Sequence, residues 1–354
     1  KLLGDEHLDV GTSLHNLAGT LQRQGKLAEA EPLLREALAM EKKLLGEEHP
    51  DIAESLDTLA GVLLEQGKLA EAEPLAREAL AMRKKLLGLE HPDVAQTINN
   101  LAEVLRRLGR LAEAEPLARE ALAMRKKLLG QEHPDVARSL NNLTAVLGRQ
   151  GKLAEAEPLA REALAMQKKL LGQEHPDTAL SLANLSAVLW TQGKLAEAEP
   201  LAREALAMRK KLLGEEHPDV AQSLNTLAAE LMEQGKAVEA EPLLREALAM
   251  QRKLLGLEHP DVAQSLNNLA VVLLRQGELA EAEPLAREAL AMQRKLFSPE
   301  HLDIAQSLNT LGAMLFQQGK PAEAEPLLRE SLVIRRRLLG DEHLDVGTSL
   351  HNLA

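Results

Sequence analysis

One histidine sets the scale of this chain. His7, His49, His91, His133, His175, His217, His259, His301 and His343 each follow a glutamate, and each stands 42 residues after the one before. The glycines from Gly25 to Gly319 and the prolines from Pro32 to Pro326 keep the same step. A fixed period of roughly 20–50 residues belongs to solenoids, propellers and arrays, in which one supersecondary unit buries its apolar face only against copies of itself. The units read 5–46, 47–88, 89–130, 131–172, 173–214, 215–256, 257–298 and 299–340, with a partial ninth at 341–354. A single compact core of 354 residues would be near its upper size limit. A solenoid escapes that limit, because each unit packs only on its neighbours.

Residues 47–88 show what one unit encodes. Pro50-Asp51 suits a helix start, with proline at the first helical position and an acid facing the macrodipole. Ile52, Leu56, Leu59, Ala60 and Leu63 then fall on one helical face, and Gly67 supplies a left-handed stop. A second helix follows, with Leu69, Ala72, Ala76, Ala79, Leu80, Leu86 and Leu87 expected inward, and Gly88 ends it. Pro74 stands about six positions into this helix, where it removes a backbone hydrogen bond. Its eightfold recurrence points to a slight bend that shapes the superhelix. The three aromatic residues of the chain are Trp190, Phe297 and Phe316, so the core must be built from Leu, Ala, Val and Met.

Ile98-Asn99-Asn100-Leu101-Ala102, followed by Leu105, Gly109, Leu111, Ala114, Ala118, Ala121 and Leu122, resembles the tetratricopeptide-repeat pattern. The resemblance covers essentially the whole chain. It is closest to the 42-residue form of kinesin light chains and many bacterial repeat proteins, whose units read much like His133-Pro134-Asp135-Val136-Ala137, Leu140-Asn141-Asn142-Leu143 and Gln150-Gly151-Lys152. The family's aromatic positions are filled here by Leu105, Leu111 and Ala118. The eight residues beyond the 34-residue form lengthen each helix by about one turn, roughly 6 Å. The resemblance implies an all-α fold, a right-handed superhelical solenoid of antiparallel helix pairs. It also implies first helices on a concave wall and a non-enzymatic scaffold that binds protein or peptide there.

Two columns of equivalent first-helix positions then become candidate peptide-binding sites. One reads Gln22, Leu64, Arg106, Gly148, Trp190, Met232, Leu274, Phe316. Its second half, Trp190, Met232, Leu274 and Phe316, is unbroken and apolar, a strip suited to a segment of a partner. The other carries Asn99, Asn141, Asn225, Asn267 and Asn309, which could hydrogen-bond a partner's backbone.

Several other signals point away from chemistry. The Glu-His-Pro-Asp loop puts a histidine among acids, yet it recurs in every unit and reads as a helix-start element; neither a metal nor any other cofactor is expected. The Gly-Lys pairs lack the spacing and hydroxyl of a phosphate loop. With no cysteine there is no thiol nucleophile or disulfide, which fits a reducing, cytoplasmic setting. A net charge of −12 argues against a nucleic-acid backbone binder, and no apolar run is long enough for a membrane span. Clusters such as Arg125-Lys126-Lys127 read as solvated charges that compensate a helix dipole. Residues 338–354 repeat 2–18 letter for letter, so a longer array and head-to-tail self-association are further expectations. Two alternatives to the scaffold remain open: a structural or self-associating spacer, and a sensor segment of a larger nucleotide-driven signalling protein.

Overall fold

A computed structural model describes residues 7–341 and 343–353 and, at Arg23, the backbone alone. The first two residues of the leading unit (Asp5 and Glu6), and Glu342 and Ala354 of the partial ninth, lie outside the described residues, as does the Arg23 side chain.

Among the described residues the chain forms 17 α-helices and no strand. The first helices of the units are α1 (Leu8–Arg23), α3 (Pro50–Glu65), α5 (Pro92–Arg107), α7 (Pro134–Arg149), α9 (Pro176–Thr191), α11 (Pro218–Glu233), α13 (Pro260–Gln276) and α15 (Leu302–Gln317), followed by the shorter α17 (Leu344–Leu353). The second helices are α2 (Leu27–Leu45), α4 (Leu69–Leu87), α6 (Leu111–Leu129), α8 (Leu153–Leu171), α10 (Leu195–Leu213), α12 (Ala237–Leu255), α14 (Leu279–Leu296) and α16 (Pro321–Leu339).

The periodic histidine is a helix cap. In all nine copies its Nδ1 accepts the backbone N–H of the aspartate two residues on, at 3.0–3.2 Å. An accepting Nδ1 requires the neutral ring with its proton on Nε2, so the histidine satisfies one of the orphan donors of the helix start. Gly67 closes α3 with φ 73°, and the following Lys68 N–H returns to the Leu63 carbonyl at 2.8 Å. Gly88 ends α4 with φ 84°. Pro74 and its counterparts lie inside helices that run unbroken past them.

First and second helices differ in burial. Nine residues of α3 are buried, from Ile52 to Leu63, against Leu69, Ala72, Ala76, Ala79, Met82 and Arg83 of α4. The first helix is therefore the inner element, and the alanine-rich face of the second helix allows close approach. The inward face of α4 departs from its expected one at the C-terminal end. Leu86 is exposed, Leu80 and Leu87 are partly buried, and Met82 and Arg83 take the buried places. Arg83 stands four residues after Ala79 and so continues the same buried face, which puts a polar side chain where an apolar one was expected.

The chain divides into two compact units, residues 1–147 with 158–171, and residues 148–157 with 172–354. In the first, Ile52, Ala53 and Leu56 pack on Ala79 and Met82, and Val136, Ala137 and Leu140 pack on Ala163 and Met166. In the second, Val220, Ala221 and Leu224 repeat the arrangement on Ala247 and Met250. Segment 148–157 is tied into the second unit by Arg149, which donates to Asp303 at 2.9 Å.

Candidate functional site

Three sets of side chains run from repeat to repeat: a buried polar ladder, a lattice of ion pairs on the second helices, and the partly open wall of first helices.

The buried ladder begins on the second helices. Equivalent positions near their C-termini are Glu41, Arg83, Arg125, Gln167, Arg209, Gln251, Gln293 and Arg335, and all eight are buried. Arg125 donates to the Asp135 carbonyl and the Ser139 hydroxyl, both at 2.9 Å, and to the Gln96 side chain. Arg209 repeats this on Asp219 and Ser223, and Arg335 on Asp345 and Ser349. At Gln251 the direction reverses, and Ser265 donates to the amide oxygen at 2.5 Å. Burial pulls Arg125 down to about 10, with Asp135 opposing that shift. The Arg-Lys-Lys clusters are thus split in role: the arginine grips the next repeat's first helix, and only the two lysines lie towards solvent. The expectation that the whole cluster is solvated fails at its first residue, because one helical face cannot hold three consecutive positions.

The asparagine column belongs to the same ladder. Asn99, Asn141, Asn225 and Asn267 are buried at 8% exposure or less, and Asn309 is partly buried. Asn225 donates to Ser265 of the next first helix at 2.6 Å, and Asn267 accepts from Ser307 at 3.2 Å. Asn309 accepts from Asn352 at 3.1 Å. Where the column changes residue, the ladder changes with it. Asp57 accepts from Arg83 at 2.8 Å and from Asn100 at 3.1 Å, while burial raises its carboxyl against the arginine's pull. At His15 the Nδ1 lies 3.3 Å from Ser55 Oγ. Asn225, Asn267 and Asn309 thus face the neighbouring repeat, and Asn99 and Asn141 are buried. Their side chains are already engaged in, or enclosed by, the stack.

The second helices carry the ion pairs. Arg35 meets Glu71, Lys42 meets Glu78 and Lys84 meets Glu120, each 36 residues on, at 2.7–3.4 Å. Lys210–Glu246, Arg252–Glu288 and Arg294–Glu330 continue the series. A second series runs 37 residues back, as from Lys127 to Glu90 at 2.5 Å and from Lys211 to Glu174 at 2.6 Å.

On the wall of the second unit, α9, α11, α13 and α15 pack one on the next. The apolar strip occupies the last turns of these helices but is unevenly presented. Trp190 and Leu274 are partly buried, Met232 is 5% exposed, and Phe316 is 64% exposed. Trp190 Nε1 is buried without a hydrogen-bond partner. Arg275 lies across the strip's edge, donating to the Met232 carbonyl and to Glu233, both at 2.9 Å. Sequence reasoning missed the polar columns that do face outward here. Gln222, Gln264 and Gln306 are exposed, and Asn184, Thr226 and Asn268 are partly exposed beside Ala187, Ala229 and Val271. Among the described residues no cluster of three or more His, Asp or Glu side chains could hold a metal ion. No described helix is long and apolar enough to cross a membrane.

A stack of like helix pairs, joined by repeating buried and surface contacts, defines a helical-repeat solenoid. Models described as tetratricopeptide repeat match residues 1–85, 93–169, 145–211, 177–231 and 219–295, and a second such model matches 304–345. The chain belongs to the tetratricopeptide-repeat family. Its units are similar to the nearly identical kinesin-light-chain TPR-like repeats of Podosopora anserina, at 32% identity over 58% of this chain and 98% of that one, with a TM-score of 0.45. A Rap protein complexed with competence and sporulation factor matches over 97% of this chain and 96% of its own, at 14% identity and TM-score 0.63. The Rap conjugation gene regulator of plasmid pLS20, solved with the Phr* peptide, matches over 95% and 99%, at 16% identity and TM-score 0.66. No curated protein matches the chain.

Proposed function

We propose that this chain is a non-enzymatic scaffold that binds a protein or peptide segment on the first-helix wall of its second unit. The observation that carries the reading is Phe316, a large apolar side chain left 64% exposed at the end of a column that also holds Trp190 and Leu274. Large exposed apolar residues grouped on one surface mark interaction sites more often than chance exposure does. Around them Gln222, Gln264, Gln306, Asn184 and Asn268 offer amides that can pair with a partner's backbone. Within the strip, contact is assigned to Trp190, Leu274 and Phe316, with Met232 beneath them as support. Asn99, Asn141, Asn225, Asn267 and Asn309 serve the partner only indirectly, by holding the helices that present the wall. That a similarly folded protein was solved with the Phr* peptide agrees with this use of the fold.

Burying an apolar side chain of this size contributes about 1.5–3 kcal/mol, and the cost of association removes much of the sum from three of them. Micromolar binding is the expected scale. The test is selection of peptides from a random display library on the intact chain, followed by titration of the selected peptides into a Trp190→Ala/Phe316→Ala variant. The reading expects affinity to fall at least tenfold while helicity is unchanged. Peptides that bind wild type and variant equally, or a library that yields no binder, would overturn it.

A further inference from the structure

One core position in the second unit breaks the column to which it belongs. The residues equivalent to Glu230 are Thr20, Val62, Val104, Val146, Val188, Val272 and Met314. Glu230 is nevertheless fully buried. One repeat earlier, Ser186 also departs from its column of Ala18, Ala60, Ala102, Thr144, Ala228, Ala270 and Gly312. The two departures meet. Ser186 Oγ is in hydrogen-bond contact with Glu230 Oε1, and it lies 2.9 Å from the Ala198 carbonyl.

Three oxygens in a row make a proton-counting problem. A serine hydroxyl has one proton to give. Beside a carboxylate, Ser186 must choose between two acceptors, and the other contact brings two lone pairs together. Beside a neutral acid, Glu230 donates to Ser186 and Ser186 donates to Ala198, so both contacts are satisfied. Glu230 Oε2 has no hydrogen-bond partner, which a neutral acid tolerates far better than a buried charge does. Among the described residues, the elements packed on α11 present no free cation to it. From α10 comes Glu199, held by Arg203 and by Lys236, which heads α12. From α13, Arg275 is taken by Glu233 and the Met232 carbonyl. The only charged residue of α9 is Asp177, at its start. Burial pushes the Glu230 carboxyl up to about 7, with Ser186 opposing and the Glu199 charge adding.

We propose that Glu230 is a proton-operated latch at the joint of α9, α10 and α11. The neutral acid closes the chain through Ser186 to Ala198, and ionisation opens that chain and loosens the joint. The latch stands whether or not the wall binds a peptide, although Ser186 lies one turn before Trp190 and Glu230 two residues before Met232. A folded-state value raised from 4.5 to about 7 means that the native chain keeps a proton the unfolded chain has lost. Stability from this group is therefore full at low pH and is lost as pH rises through that window.

Glu230→Gln tests the latch, because the amide donates to Ser186 as the neutral acid does but cannot ionise. Hydrogen exchange in α9–α11 of the full chain is compared between wild type and variant from about pH 5 to pH 8, corrected for intrinsic exchange. Every other titrating group is shared by the two proteins and cancels. The opening constant of the wild type, relative to the variant, is expected to rise by up to about tenfold per pH unit between about pH 5 and pH 7. Glu230→Val, which restores the residue of the column, gives the same reference should the glutamine variant fail to fold. Parallel pH profiles in wild type and variant overturn the proposal. So does a Glu230 carboxyl carbon that titrates together with exposed glutamates.

Discussion

Arg125→Ala removes one rung of the buried ladder, and its cost can be worked from the contacts. Arg125 is 2% exposed and supplies donors to the Asp135 carbonyl, the Ser139 hydroxyl and the Gln96 side chain. Truncation leaves three acceptors short of a donor, at about 1–3 kcal/mol for each one that stays buried and unsatisfied. Part of the deficit repairs itself. Ser139 can turn to the Asp135 carbonyl, as Thr97 does to Asp93 at 3.0 Å and Ser181 to Asp177 at 3.1 Å, and Gln96 is only partly buried. Releasing a desolvated guanidinium offsets more. The net loss should be about 2–3 kcal/mol, concentrated where α6 meets α7. Arg125→Gln should lose less than about 1 kcal/mol, because Gln167, Gln251 and Gln293 fill the equivalent place. Unfolding of a repeat array need not be two-state, so denaturant melts should be paired with hydrogen exchange read locally in α6 and α7. If alanine is tolerated as well as glutamine, the arginine is not holding the next repeat, and the ladder argument fails.

Gly312 lies close under Leu328, where a Cβ would meet Leu328 Cδ2 at 2.6 Å, although Ala stands opposite Leu at the same positions in Ala18/Leu34 and Ala228/Leu244. Leu328→Ala should cost about 2–4 kcal/mol. The Gly312→Ala/Leu328→Ala double variant, which recreates the Ala60/Ala76 pairing, should recover at least about 1 kcal/mol of that in a double-mutant cycle; strict additivity would refute the pairing. Raising salt from about 0.05 M to about 1 M should lower the denaturation midpoint, because the ion pairs are exposed and each is worth only a few tenths of a kcal/mol when screened. Charge-neutral substitutions at Glu71, Glu78 and Glu120 should flatten that salt response, and an unchanged response would show the lattice to be inert.

Much of this architecture was legible in the sequence, because the features that define it act locally. Proline, aspartate, glycine and an apolar stripe fix helix ends and faces within a few residues, and the 42-residue step repeats them. What escaped was the direction of side chains at the edge of the stripe. Asn99 and Asn100 are adjacent, and about 100° of rotation sends the first into the stack and leaves the second partly open. The columns held a clue. The first position of the basic clusters varies among Arg, Gln and Glu, whereas the next two, from Lys42 and Lys43 to Arg336 and Arg337, are always basic. A position that trades charge for amide is meeting fixed hydrogen-bonding partners, not water. Glu230 and Ser186 were visible in the same way, as two departures 44 residues apart, but only the packing of α9 on α11 shows that they touch.

The ion-pair lattice also bears on how a gene for such a chain can change length. Every lysine or arginine in it finds its glutamate at a constant offset in the adjoining unit. Unequal crossing-over that adds or deletes 42 codons would join surfaces already matched in charge, leaving no stranded ion. Glu230 with Ser186 is a private match, since no other repeat carries either residue at those positions. A recombination that separated the two would be punished. Copy number should therefore drift freely elsewhere in the array and be pinned at that pair.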